Sequence, residues 1–185
     1  MTQMTRDTAV TLLQLHVKTR NLIKHCLACE AVLGALAVRL GGDPEQWRLA
    51  GLLHDVDYDQ TVESPETHAR IGAEVLEQAG VDGAVVHAVL AHADKAPRES
   101  ALDKALWCVD PLTGLIVAAA LIRPEKKLAA IDADFVLNRF KEKGFARGAN
   151  REQIAACEQE LGLPRAEFVE IGVRAMQEIS DELGL

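Results

Sequence analysis

The chain has 185 residues, of which 49% are hydrophobic and 4% aromatic, and its formal net charge is -8. This length supplies one complete core rather than two domains, and the scarcity of aromatic residues favours close-packed helices over sheets. A negative charge of this size argues against a broad surface for phosphate backbones, so no nucleic acid polymer is expected as a partner.

Signals for export or membrane insertion are missing from the sequence pattern. Residues 1 to 7 are polar, and no uninterrupted apolar run reaches the roughly 18 residues of a membrane helix. We therefore predict a cytoplasmic protein with no membrane partner. In that reducing compartment the four cysteines, which lie inside helical patterns, are expected to be free and buried. They are Cys26, Cys29, Cys108 and Cys157.

Helix-start signals divide the chain into about eight helices joined by short turns. The first two helices are expected near residues 7–18 and 22–40, and Asp43 before Pro44 begins the third. Ser64 before Pro65 repeats this signal, and Pro164 opens the last helix. The remaining helices are expected near 82–93, 100–122, 134–142 and 150–162. Since no strand alternation of useful length occurs, the predicted fold is all-α, a single-domain helical bundle.

Six ionisable residues fall on the apolar faces of these helices, where an unpaired charge is costly to bury. His25, for example, shares its face with Cys29 and Leu36. Lysine and arginine are scarce on the same faces, so neutral nitrogen and anionic oxygen donors would meet without a basic partner. This combination predicts a divalent metal site. The six residues are His25, His54, Asp55, His68, His92 and Asp110.

The order of these residues is similar to that of a known family. His25, then the doublet His54-Asp55, then Asp110 resembles the HD-domain metal-dependent phosphohydrolase superfamily, over roughly residues 21–121. The resemblance implies a domain spanning residues 1–185, with this recognised core and a C-terminal helical extension from about 132 to 185.

Two further histidines, His68 and His92, look like the additional histidines of binuclear family members, such as bacterial diadenosine polyphosphate hydrolases. By this analogy Asp55 bridges two ions. The resemblance implies one ion bound by His25, His54 and Asp110 and a second bound by His68 and His92.

The chain departs from the family directly after the doublet. Many members read His-Asp-Ile-Gly-Lys, with the lysine near the substrate phosphate, whereas Val56, Asp57 and Tyr58 follow the doublet here. A contribution from that lysine is therefore missing, and the substrate cannot be transferred from the family.

The activity that the resemblance implies is hydrolysis of a nucleotide or other small phosphorylated metabolite, a phosphomonoester or phosphodiester, by a metal-activated water. One or two divalent ions are expected, with Fe, Mn, Mg, Co and Ni as candidates. Two ions and two aspartates leave a local charge of +2, which suits a phosphate. The catalytic candidates are Asp55, Asp57 and Lys95, and the candidates for substrate contacts are Lys95, Arg98 and Arg147.

Two other functions fit the same ligand set. Some relatives with these ligands hold a di-iron centre and oxidise carbon with dioxygen. The other alternative function is a regulatory module that binds a nucleotide without turnover. An iron pair with oxygen uptake would favour the oxygenase, and phosphate release with Mn, Mg or Co would favour the hydrolase. The C-terminal helices are candidates for closing the pocket or for forming a homodimer face.

Overall fold

The computed structural model describes residues 4–185, so residues 1–3 of the polar segment used above lie outside the described part. Within that part every regular element is helical, which confirms the all-α prediction. The helices are α1 (Arg6–His16), α2 (Arg20–Leu40), α3 (Pro44–Leu53), α4 (Tyr58–Thr61), α5 (Arg70–Gln78), α6 (Gly83–His92), α7 (Ala101–Leu121), α8 (Ala133–Phe140), α9 (Arg151–Ala155), α10 (Cys157–Glu160), α11 (Arg165–Glu178) and α12 (Ser180–Leu183), with a 3-10 turn at Leu128–Ala130.

The helix count agrees with the predicted number once short helices are set aside. Eight of the described helices have eight or more residues, and the other four are single turns of four or five residues. The predicted helix at 150–162 is divided into α9 and α10 at Ala156.

The prediction of a helix start at Ser64 and Pro65 is wrong. Residues 65–69 form turns, and α5 begins only at Arg70. The reason lies in the residue before the helix, since Ala69 has a φ of 64° and breaks any helix continuing from Pro65. The turns leave His68 outside the helix, which matters for the site described below.

The centre of the fold is formed by α2 and α7, each 21 residues long. α3 packs closely on α2, and α6, α9 and α11 pack on α7 or on both long helices. α2 and α3 approach closely at Gly51, where an added Cβ would lie 2.6 Å from the backbone carbonyl of Cys29. A glycine at this crossing brings the backbones of α2 and α3 together.

Both central helices are also long and apolar enough to cross a membrane, judged by length and composition alone. Within the described fold, 50% of the apolar window of α2 and 61% of that of α7 is buried. Core helices of soluble proteins pass the same test, so this finding is weak evidence for a membrane segment.

The four cysteines follow the prediction. Each is free and buried. Burial raises the pKa of the Cys108 thiol to about 12 and that of the Cys157 thiol to about 11, so both are neutral packing residues rather than reactive thiolates.

Candidate metal centre

The predicted cluster assembles where α2, α3, α6 and α7 meet. His25 lies on α2, Asp110 lies midway along α7, and His92 is the last residue of α6. α3 ends at Leu53, so His54 and Asp55 lie in the turn that follows it. Because this turn is not a continuous helix, both side chains of the doublet can face the same point.

One oxygen of the Asp55 carboxylate faces the first pair of histidines. Asp55 Oδ2 lies 3.3 Å from His54 Nε2 and 3.7 Å from His25 Nε2. Asp110 Oδ1 lies 3.1 Å from His25 Nε2, and the two Nε2 atoms are 3.2 Å apart. Three residues and one Asp55 oxygen thus surround a single point.

The other oxygen of Asp55 faces the second pair of histidines. Asp55 Oδ1 lies 3.5 Å from His68 Nε2 and 3.6 Å from His92 Nε2. The structure therefore brings all six predicted residues together and divides them between the two carboxylate oxygens of Asp55. The carboxylate is 9% exposed and lies between the two groups.

Two of the histidines are oriented by the backbone. His54 Nδ1 donates to the carbonyl oxygen of Gly51 at 2.9 Å, and His92 Nδ1 donates to that of Val89. A carbonyl oxygen can only accept, so Nδ1 carries a hydrogen in both rings and Nε2 faces the cluster, where its lone pair is available to a metal whenever the ring is neutral.

The other two histidines are oriented by side chains. Asp57 Oδ1 lies 3.0 Å from His68 Nδ1, and Asp57 Oδ2 accepts from the backbone N–H of Gly72. Thr113 Oγ1 donates to the carbonyl of Asp110 and lies 3.0 Å from His25 Nδ1, so its oxygen accepts from that ring. All four rings therefore present Nε2 to the centre, which is the orientation of metal-binding histidines.

A cavity of about 410 Å³ opens onto the cluster. Apart from the ligand candidates, Leu22, Tyr58 and Ala93 line it. The Tyr58 ring packs edge-to-face on His68 and is 40% exposed, so its phenol stands at the rim, at the position where many family members have lysine. The cluster is thus accessible to a ligand from one side.

The ionisation of the cluster shows how the two carboxylates are balanced by protons. Burial disfavours a charged imidazole, but the Asp55 carboxylate raises the pKa of His54 to about 9. Burial likewise opposes protonation of His25, yet Cys29 and Asp110 raise its pKa well above the ordinary value. Burial would raise the pKa of Asp55, but His54, His92 and His25 hold it well below its usual range.

Divalent ions could take over this compensating role, because no lysine or arginine in the described part of the chain forms an ion pair with Asp55 or Asp110. Neutral imidazole nitrogens and carboxylate oxygens are also the donors that such ions prefer. The residues present therefore fit divalent metal ions.

Asp57 does not line the cavity, whereas a catalytic group would have to face it. It is 2% exposed, and its two oxygens are occupied by His68 and Gly72, so its place is that of a positioning residue. Asp59 is also engaged elsewhere, since it accepts from the backbone N–H groups of Lys18 and Thr19 at the start of α2.

The three predicted substrate-binding residues do not line the cavity. Lys95 Nζ donates to the carbonyl of Pro65. Arg98 pairs with Asp94, and its guanidinium stacks 4.1 Å from the Trp107 ring centroid. Arg147 is exposed in a loop that is far from the cluster along the sequence. Closeness to His92 along the chain did not bring the first two to the pocket, because α6 ends at His92 and the chain turns at Asp94.

Sequence reasoning did not identify Thr113 as part of the site. Its signal was its position three residues, or about one helical turn, beyond Asp110 on the same helix. Thr113 is 1% exposed, as an ordinary core residue would be, and only its hydrogen bond to His25 in the structure reveals its role.

Comparison with known proteins identifies related chains. The family described as HD domain matches residues 22–134. Ribonuclease Y of Nitratidesulfovibrio vulgaris is 35% identical over 98 residues, which cover 52% of this chain and 18% of that protein. Ribonuclease Y of Lawsonia intracellularis is 30% identical over 138 residues, covering 72% and 26% respectively. Ribonuclease Y of Desulfotalea psychrophila is 28% identical over 160 residues, covering 84% and 31%. No solved structure matches.

These relatives correct one prediction. They are ribonucleases by name, which contradicts the expectation that the partner is a small molecule and never a nucleic acid polymer. The prediction was wrong because it used the net charge of the whole chain, whereas phosphate attraction is a local property that bound cations can reverse. The chain also spans less than a third of the length of these relatives, so its net charge is not theirs.

Proposed function

Since the chain belongs to the HD domain family, we propose that it is a metal-dependent phosphohydrolase with two divalent ions at the Asp55 carboxylate. The observation that carries this proposal is the position of Asp55 between two pairs of histidines, each with Nε2 directed at one of its oxygens. The proposed ligands are His25, His54, Asp55 and Asp110 for one ion and Asp55, His68 and His92 for the other.

Bound divalent ions supply positive charge for the phosphoryl oxygens and a water that ionises near neutral pH. The chain's own residues keep the site ready for that chemistry. Thr113 and the carbonyl of Gly51 hold the two rings of the first pair, while Asp57 and the carbonyl of Val89 hold those of the second. Such fixed ligands need no reorganisation when the charge of the reacting phosphate changes.

Tyr58 takes a role at the cavity rim in this proposal. Its ring is fixed against His68, and no hydrogen bond to its phenol oxygen is found among residues 4–185. The phenol is therefore free to donate to a phosphate oxygen of the substrate. A phenol donates a hydrogen bond without bringing the charge that lysine brings, so the ions carry more of the electrostatic stabilisation.

The substrate that we propose is a phosphoester of a nucleotide or another small phosphorylated metabolite. RNA is the second candidate, favoured by the names of the relatives. Lys95, Arg98 and Arg147 stay predictions for contacts with a substrate that extends beyond the cavity. A cytoplasmic location, the division into a core and a C-terminal extension, and a homodimer also stay predictions.

The test is metal analysis of the purified protein, followed by phosphate-release assays over phosphomonoesters, cyclic nucleotides, dinucleoside polyphosphates and a short RNA. We expect up to two divalent ions per chain and hydrolysis with Mn²⁺, Mg²⁺ or Co²⁺. Asp55→Asn should lose both ions, whereas His16→Ala, which changes a histidine of α1 outside the cluster, should retain them.

Three results would contradict the proposal. A protein that binds no divalent ion would not be metal-dependent, and an iron pair with oxygen consumption would identify the oxygenase instead. A protein that binds divalent ions and a nucleotide but hydrolyses none of the assayed compounds would be the regulatory module.

A further inference from the structure

A second cavity lies next to the metal centre, in the groove between α2 and α7. Its volume is about 370 Å³, and His25 lines both cavities. On α7 the second cavity begins at Thr113, one turn beyond Asp110, and reaches Leu121. Residues 183–185, which begin at the last residue of α12, also line it. The two cavities therefore adjoin at His25, which forms part of the wall of each.

The walls of this cavity are mostly apolar. Ala28 on α2 faces it together with Val117 and Leu121 on α7, and Leu183 lies over them. Leu121 is 48% exposed although it is a large apolar residue. The volume of the cavity lies within the range of about 300–1,000 Å³ typical of small-ligand pockets. An organic ring is the kind of group that this lining would bury with gain in free energy.

One cation stands at the same cavity. Lys24 is exposed, lines the groove and lies one residue before His25. In the described part of the chain no carboxylate lies within ion-pair distance of its Nζ atom, although nine pairs of a lysine or arginine with a carboxylate occur elsewhere. An ammonium group without a carboxylate partner, beside an apolar wall, suits an anionic group carried by the ring.

We propose that this second cavity binds the organic group of the substrate, a nucleoside-sized ring system, and that Lys24 binds a further phosphate attached to that group. This inference rests on the proposed function, since it takes the reacting phosphate to lie at the metal centre. It selects phosphodiesters with a nucleoside and a second phosphate over esters with a small organic group.

Gly114 provides a direct way to block the cavity. It is exposed and lines the groove, and an added Cβ would meet nothing within 4 Å. Gly114→Leu therefore places a large side chain in the groove from a position that has room for its Cβ, and Gly114→Ala is its matched control because a single methyl leaves most of the groove open. Both replace a glycine inside a helix, which favours the folded state.

The first experiment compares two diesters with the same leaving group, thymidine 5′-(p-nitrophenyl phosphate) and methyl p-nitrophenyl phosphate. We expect Gly114→Leu to increase the ratio of their KM values about tenfold, because only the thymidine ester needs the groove. Gly114→Ala should change this ratio much less. An unchanged ratio in Gly114→Leu would overturn the inference.

The second experiment does not depend on turnover. Titration calorimetry of the protein with its ions bound would measure the affinities of thymidine 5′-monophosphate and thymidine 3′,5′-bisphosphate, with chromatography to show that both ligands stay intact during the titration. We expect Lys24→Gln to weaken bisphosphate binding about tenfold and monophosphate binding less, since a charged hydrogen bond is lost only with the second phosphate. Equal effects on the two ligands, or no binding of either to the wild-type chain, would overturn the inference.

The two experiments separate the possible failures. If neither diester is hydrolysed but calorimetry shows the expected pattern, the proposed function fails for these esters while the cavity binds its ligand. If both diesters are hydrolysed and neither Gly114→Leu nor Lys24→Gln changes selectivity, the metal-centre proposal stands and the cavity proposal is wrong.

Discussion

At the scale of single residues, the side chains behind the histidines matter as much as the histidines themselves. A histidine offers the metal one ring nitrogen, and the partner of its other nitrogen decides which one. Here the four partners are two backbone carbonyls, the hydroxyl of Thr113 and the carboxylate of Asp57. Only the last two can be changed by mutation of the partner.

Asp57→Asn is expected to weaken Mn²⁺ binding about 10- to 100-fold, the usual effect of losing such a partner. Asp57 accepts from both His68 Nδ1 and the N–H of Gly72, whereas an asparagine must turn its NH₂ group towards one of these two donors. Titration calorimetry measures the affinity. Asp59→Asn is the control, because that carboxylate accepts only from the start of α2 and should leave affinity near that of the wild type. Equal affinities of Asp57→Asn and wild type would contradict this role.

At the scale of elements, the centre depends on how closely α2 and α3 approach. These helices carry His25 and hold the turn with His54, and they cross at Gly51. Since an alanine Cβ at this position would lie 2.6 Å from the Cys29 backbone, the two helices would have to separate. A shift of the helices would also separate the ligands they hold.

We therefore expect Gly51→Ala to lower the free energy of unfolding by about 1–3 kcal/mol, the cost of overpacking a core, and to weaken Mn²⁺ binding. Urea denaturation measures the first effect. Gly83→Ala is the matched control, since its Cβ would meet nothing within 4 Å. A Gly51→Ala protein as stable as this control would show that the crossing tolerates a side chain.

Helix starts were predictable wherever a local cap decides them. Asp43 and Ser100 begin helices at the expected places, because each accepts hydrogen bonds from the first turn of its own helix. Ser64 and Pro65 offered the same local signal, yet the chain there forms turns that leave His68 against Asp57. A contact between segments outweighed the cap, and such a contact cannot be read from neighbouring residues.

The candidate ligands were predictable because an apolar stripe interrupted by an ionisable residue is visible in the sequence. Their partners were not, since Thr113 on such a stripe has the appearance of a core residue. The positions of the basic side chains were not predictable for a related reason. Lys95 lies three residues from His92, but its ammonium donates to the Pro65 carbonyl, and sequence distance does not reveal that choice.

At the scale of the whole molecule, the centre couples metal binding, protonation and stability. In the metal-free protein the pKa of His54 is raised from 6.5 to about 9. A raised pKa of this kind adds stability that is fully present below pH 6.5 and is lost as the pH rises towards 9. Metal binding requires the neutral ring, so it releases protons and becomes tighter over the same interval.

We expect the stabilisation of the chain by Mn²⁺, measured as the increase in Tm at a fixed metal concentration, to grow between pH 6.5 and 8.5. The Tm of the metal-free protein should fall slightly over that range. Calorimetry in buffers with different ionisation enthalpies would count the released protons. An increase in Tm that is flat or that shrinks with pH would contradict the protonation of the metal-free cluster.

The central claim is that the two oxygens of Asp55 face two separate ion positions. Anomalous diffraction from crystals of the Mn²⁺-loaded protein tests it most directly. The account predicts two anomalous peaks, each about 2.0–2.5 Å from a different oxygen of Asp55, one beside His25, His54 and Asp110 and the other beside His68 and His92. Peaks that lie away from Asp55, or no peak in this cavity, would contradict it.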